Sequence, residues 1–352
     1  FSHNLSRIVE EKQLADNTKI CYTYDSLSRV TNRTIRNEYD DVISSENYTY
    51  DAAGNITDAP NSCFNYDTNN RLIVFNDNLV TYDADGNMLS NGTTTFKYDS
   101  ANRLIKVGDH TYTYNAEDVR IRNLCSDADT TYTYNTNCKL SQLLQKTTNG
   151  ITTKYIYGHG LIGSEKQGCF KTYHFDSRGS TVAITDINGN ITDTLKYDTY
   201  GKMTEHIGNT FVILGYNGRD GVVTDKSGLI YMRARYYSPE MRRFINADII
   251  HGEISDSTSL NRYSYVNGDP VSYVDPFGLE ALLDEYIDKN YSGQKSVSLI
   301  INSPNPNSRV VANIEDGKLN NGHSFIRLDD GEGNVQYVGF APVSNGISDM
   351  IL

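Results

Sequence analysis

The sequence predicts a mainly β fold built from repeated hairpins, and three observations carry that prediction. The chain of 352 residues holds 27 Tyr and 11 Phe but 5 Met and no Trp, an aromatic bias that suits pleated, half-buried strands. A Tyr-Asp or Tyr-Asn pair recurs, its Tyr at positions Tyr24, Tyr50, Tyr66, Tyr82, Tyr98, Tyr114 and Tyr134, and four consecutive intervals are 16 residues. Turn-forming residues follow each pair, as in "YTYDAAGNIT" from Tyr48 and "FKYDSANRLI" from Phe96.

Each unit reads as one hairpin. In Tyr-x-Tyr both rings lie on one strand face, because side chains alternate with period two. The following Asp or Asn bonds the backbone two residues on, and Gly-Asn or Asn-rich pairs accept the positive φ of a tight turn. The chain then reverses into a short strand such as "RLIKV", and successive hairpins pair edge to edge into one long curled sheet. Weaker copies continue from Lys154, Tyr173 and Leu195, so the repeats run over residues 1–214. Tyr packs through its ring while its hydroxyl stays wet, so the sheet is expected to be solvated on both faces. Packing between hairpins explains these tyrosines; a carbohydrate-stacking platform is the functional alternative.

Composition narrows the partners. A net charge of −12 from 44 acidic and 32 basic residues opposes the phosphate attraction of nucleic-acid binding, so no nucleic-acid partner is expected for the repeats. No transmembrane segment is expected, since no run of 18 apolar residues appears. The opening "FSHNLSRIVE" has neither an initiator Met nor a signal-peptide pattern, and reads as a cut from a longer polypeptide. The five cysteines, Cys21, Cys63, Cys125, Cys138 and Cys169, have no C-x-x-C spacing, so no metal site is expected and they read as scattered small hydrophobes in strands.

The Tyr-Asp units resemble the YD repeats of the Rhs family and its relatives, the insecticidal toxin-complex C subunits, the wall-associated WapA-type proteins and the teneurins. The likeness sharpens over Gly215–Glu280, where "GLIYMRARYYSPEMRRFINAD" and "NRYSYVNGDPVSYVDPFGL" resemble the Rhs repeat-associated core, assigned here to residues 215–279. The resemblance implies a β-shell of repeats, a core that caps it from inside, and a variable toxin beyond Asp-Pro-x-Gly-Leu. It further implies that the shell carries its own C-terminal effector segment, that a cognate immunity protein exists, that no cofactor is needed, and that the protein is bacterial and secreted or cell-surface. The roughly 200 residues of repeats would supply only part of such a wall.

The same resemblance implies aspartate-dependent self-cleavage after Leu279, before Glu280. Asp275, Pro276, Gly278 and Leu279 match the closing motif, and Arg243 and Asp248 match the Arg-Phe segment and its terminal Asp. Amide hydrolysis by an activated water suits two carboxylates, one ionised and one protonated, and like charges held close force their pKa values apart. Arg243 would orient or neutralise one carboxylate, with Arg242 as competitor. On local grounds alone Asp275-Pro276-Phe277-Gly278 is a good turn, and Arg243 with Asp248 would serve equally as a structural ion pair. Such cleavage is a single turnover in cis. The alternative function is an extracellular adhesion module that binds cell-surface glycans without processing.

Residues 280–352 read as a small, incomplete α+β effector domain. "EALLDEYIDKNY" has helical apolar spacing at Leu282, Leu283, Tyr286 and Ile287; "SVSLIINSP" reads as a strand; and "NGHSFIRLDDGEGNVQYVGFAP" reads as a hairpin around Asp330–Gly333. His323 opens a strand where hydrolases keep a general base, and weakly resembles the His of papain-like effectors. Yet no cysteine follows Cys169 to serve as its nucleophile.

Overall fold

The computed structural model describes residues 17–158, 160–252, 257–279 and 281–283, together with the outlying strands Ser2–His3, Val9–Gln13, Ser296–Ser298, Ser324–Asp329, Val335–Val343 and Gly346–Ile351. Its chain forms two compact units, Phe1–Asp284 and Glu285–Leu352. Among the described residues the repeats are antiparallel strands paired in sequence order, in four successive sheets where the pattern suggested one long one. One five-stranded sheet ends at Val42–Asn47, a second runs from Thr49–Tyr50 to Asn78–Leu79, and a two-stranded piece joins Thr81–Tyr82 to Met88–Ser90. A twelve-stranded sheet then extends from Phe96–Tyr98 to Met203–Ile207. The predicted hairpin array is therefore present, and no pairing closes it into a barrel among the described residues.

The repeat works through its acid. Asp67 Oδ1 accepts the backbone N–H groups of Asn69 and Arg71, both at 2.9 Å, while Oδ2 accepts Arg71 Nε at 2.7 Å. Asp25 and Asp99 hold Arg29 and Arg103 in the same way, and Asp51 and Asp83 hold Asn55 and Asn87. The arginine then serves the next hairpin: Arg29 lies 4.6 Å from the Tyr50 ring centroid and Arg103 5.2 Å from that of Tyr114. Those tyrosines in turn donate to carbonyls of the preceding hairpin, Tyr50 to Val30 and Tyr114 to Leu104, both at 2.7 Å. Asp99→Ala should cost about 2 kcal/mol in urea unfolding by removing this clamp, while Asp99→Asn, which keeps the acceptor, should cost less.

Residues 212–279, termed here the plug, cover the aromatic face. A four-stranded sheet runs Val223–Thr224, Ile230–Met232, Arg235–Ser238 and Arg243–Phe244 in sequence order. Plug rings meet repeat rings directly: Tyr236 stacks on Tyr112 at 5.5 Å and Tyr263 meets Tyr82 edge-on at 5.9 Å. Gly86, at φ +86°, lets this approach happen, since a Cβ there would stand 2.6 Å from the Tyr263 hydroxyl. The expectation of a sheet wet on both faces is thus corrected. Tyr48, Tyr112, Tyr132 and Tyr155 are buried, because the plug supplies apolar surface that the repeats alone lack.

Two local expectations also change. Leu282–Leu283 forms a strand paired with Tyr273–Val274 instead of opening a helix, because the turn at residues 275–279 returns the chain alongside existing backbone partners; positions 284–290 lie outside the described residues. Of the five cysteines, Cys63 and Cys169 are exposed and the other three half-buried, so none is a core hydrophobe, and Cys125 and Cys138 stand outside strands. In the second unit, Ser296–Ser298, Ser324–Asp329, Val335–Val343 and Gly346–Ile351 form one antiparallel sheet in sequence order, with the strand and hairpin that the pattern predicts.

Candidate functional site

The Asp-Pro-Phe-Gly-Leu turn is read carbonyl by carbonyl from one run of the plug. Arg233 donates through Nη1 to the Pro276 carbonyl, the Ala234 N–H to the Phe277 carbonyl at 3.1 Å, and Arg235 Nε to the Gly278 carbonyl. Gly278, at φ +70°, is required there: a Cβ would stand 2.4 Å from the Met232 carbonyl oxygen. Asp275 closes the turn from inside. Its Oδ1 accepts the Leu279 N–H at 3.0 Å and its backbone carbonyl accepts the Gly278 N–H at 3.3 Å.

Asp248 and Asp275, 27 positions apart, face one guanidinium. Arg235 Nη2 stands 2.7 Å from Asp248 Oδ2 and 3.6 Å from Asp275 Oδ2. All three side chains are buried. Arg235 also donates through Nη1 to the Arg262 carbonyl at 3.0 Å and lies over the Phe244 ring. Asp248 is fixed separately, its Oδ1 accepting the Ile250 N–H at 2.8 Å and its carbonyl accepting from Arg262. Burial pushes the Asp248 carboxyl above its ordinary range, and Arg235 only partly offsets this. The same burial pushes the Arg235 guanidinium down, against the pull of the two acids. Two carboxylates held on one shared cation beside the turn are groups of the kind that acid–base chemistry at a peptide bond requires.

The cation is not the one the sequence nominated. Arg243 donates to the Asn70 carbonyl at 2.5 Å and stacks between Tyr66 and Tyr263. Strand alternation explains the difference: Arg243 and Phe244 are consecutive strand residues facing opposite ways, and Arg235 shares the Phe244 face. Arg242 binds Ser62, Pro60 and Asp198 instead. The Arg-Ala-Arg-Tyr-Tyr run holds both arginines that bind the turn, Arg233 in the hairpin turn at φ +54° and Arg235 opening the strand Arg235–Ser238. Pro276 and Leu279 stand in the turn as expected, whereas Glu280 and His323 lie outside the described residues. A cleft of about 200 Å³ lined by Asn102, Asp118, Arg235, Arg262 and Leu279 reaches the end of the turn.

Comparison with known proteins adds the following. The family model described as Teneurin YD-shell matches residues 1–271. Over 138 residues, 37% of this chain and 6% of the relative, the sequence is 33% identical to the tRNA3(Ser)-specific nuclease WapA of Bacillus spizizenii. Over 130 residues, 36% of this chain and 4% of the relative, it is 28% identical to salivary gland surface protein 1 of Aedes aegypti. The chain thus spans a small fraction of the length of these relatives. Among solved structures, the TcdB2-TccC3 crystal structure aligns over 79% of this chain and 19% of that one, at 16% identity and a TM-score of 0.42. No helix among the described residues is long and apolar enough to cross a membrane.

Proposed function

This chain belongs to the Teneurin YD-shell family, and on that premise we propose that it is an Rhs-type toxin whose repeats and plug carry a C-terminal effector segment and release it by cutting after Leu279. The observation that supports this reading is the single guanidinium of Arg235 shared by Asp248 and Asp275, with Asp275 also bonded to the Leu279 N–H. In the proposed reaction the carboxylate pair takes a proton from a water reaching the turn through the adjacent cleft. The water oxygen attacks the Leu279 carbonyl carbon while the proton held by the pair polarises its oxygen. The C–N bond then breaks, leaving a carboxylate on Leu279 and an amine on Glu280, one water consumed and the pair's proton restored. Arg233, Ala234 and Arg235 hold the preceding three carbonyls, so the turn presents its end in one orientation.

The glycan-binding alternative has less support, because the paired aromatic rings that would form a stacking platform are covered by the plug. A tRNA-directed effector is not carried over from the WapA relatives: residues 280–352 hold ten acidic and five basic residues, a charge of −5. A secreted or cell-surface toxin released in this way calls for a cognate immunity protein in its producer.

Intact mass spectrometry of the purified full chain tests the proposal. The wild type is expected to yield two products, residues 1–279 and 280–352, and Asp275→Asn or Asp248→Asn to slow their appearance by about 10²–10⁴-fold. A folded wild type that stays whole, or cutting that persists in both variants, overturns it.

A further inference from the structure

The repeat sheet carries a second polar site, remote in sequence from the cleavage turn. Its strand register aligns Tyr132, Lys146, Thr153 and Lys166 in one row across four neighbouring strands. Adjacent strands lie about 4.8 Å apart, so two ammonium-bearing residues flank a threonine hydroxyl on one face. Tyr132 is buried, which identifies that face as the one turned towards the plug. A cavity of about 300 Å³ opens over the row, lined also by Thr130, Thr148 and Thr224 from the sheet and plug, and by Lys226.

Three lysines therefore converge in a protein of net charge −12. Among the described residues no carboxylate pairs with Lys146 or Lys166. The acids beside the cavity are committed elsewhere: Asp225 to Arg120, and Asp127 to Lys226 at 3.3 Å near the rim. His110, also on the wall of the cavity, bonds Asn123 at 3.0 Å and stands 3.8 Å from Asp109. Burial, then the Lys166 and Lys226 charges, hold the Lys146 ammonium below its ordinary range. Thr224 contributes to the wall, but its Oγ1 is turned into the packing, towards Gly215. Lys226 has Asp127, whereas Lys146 and Lys166 face the cavity with no carboxylate among the described residues to answer them.

We propose that this cavity binds a small phosphate-class oxyanion, with Lys146 at its floor, Lys166 and Lys226 at its rim, and the hydroxyl of Thr153 between the two sheet lysines as a neutral donor. Lysine acts here as a point charge, so the site would tolerate phosphate or a phosphate ester without demanding one orientation.

The test titrates inorganic phosphate into the full chain at constant ionic strength, following the melting temperature and the ³¹P line width. Phosphate is expected to raise the melting temperature saturably where chloride does not, and to lose about tenfold in affinity in Lys166→Met. Lys166 is exposed, so that variant keeps the fold. Lys146→Met should melt higher than wild type without phosphate, because it removes a crowded charge, and should respond least to the ligand. A phosphate response equal to that of chloride, or one undiminished in Lys166→Met, overturns the proposal.

Discussion

Arg120→Met is expected to cost about 3–5 kcal/mol of stability, the largest loss from a single substitution in the repeat sheet, because it strands a buried carboxylate. Arg120 is wholly buried and Asp225 nearly so. The two are joined by a fork in which Nη2 bonds Asp225 Oδ1 at 3.0 Å and Nη1 bonds Oδ2. Tyr112 adds its hydroxyl to Asp225 at 3.0 Å. Rings of Tyr112, Tyr132, Tyr231 and Tyr236 surround the guanidinium at 4.5–5.7 Å, two from the repeats and two from the plug. The pair therefore ties plug to sheet. Urea unfolding should show the loss in Arg120→Met, and the double variant Arg120→Met with Asp225→Leu should recover much of it, because no charge remains to be desolvated. A single-variant loss below about 1 kcal/mol would mean that water reaches Asp225 and that the cage is not a dry tie.

Arg120 also shows how much the sequence carried. Six residues after the Tyr of successive repeats stand Val30, Ile56, Leu72, Met88 and Leu104, all buried. After Tyr114 the same place holds Arg120. A charge in a column of core residues is a legible signal of a buried partner, yet nothing in the local pattern names Asp225, which lies 105 positions away. The hairpins and their acid-centred turns were readable because their bonds close within four residues. Arg235 was missed for the opposite reason. Its partners are at Asp248, Asp275 and Gly278, and only the packed plug decides that it, and not Arg243, turns towards them. The tail helix failed on the same ground, since apolar spacing at Leu282 and Leu283 is a weak preference that a strand partner at Tyr273–Val274 overrides.

Arg235→Met is expected to lower release after Leu279 by about 10²–10³-fold and to make the chain's stability more sensitive to pH. The substitution keeps the apolar stem over Phe244 but removes the donor to the Gly278 carbonyl and the cation shared by both acids. The turn loses one of its three held carbonyls, and Asp248 keeps only the weaker charges of Arg262 and His251 to offset its burial. The sign of the pH effect follows from Asp248. Burial already raises its pKa above the ordinary 3.8, so above that value the folded chain binds more protons than the unfolded one. Stability from this group is therefore greatest at low pH and falls as pH rises towards the folded pKa. Arg235 is the strongest influence pulling that pKa down. Without it the window of falling stability widens towards neutrality, and the deficit of Arg235→Met against wild type should shrink between about pH 7 and pH 5. Arg235→Lys restores the charge without the fork, so it should recover the pH dependence more fully than the release rate. A deficit that does not change with pH would assign Arg235 to packing alone, and undiminished release in Arg235→Met would remove it from the chemistry altogether.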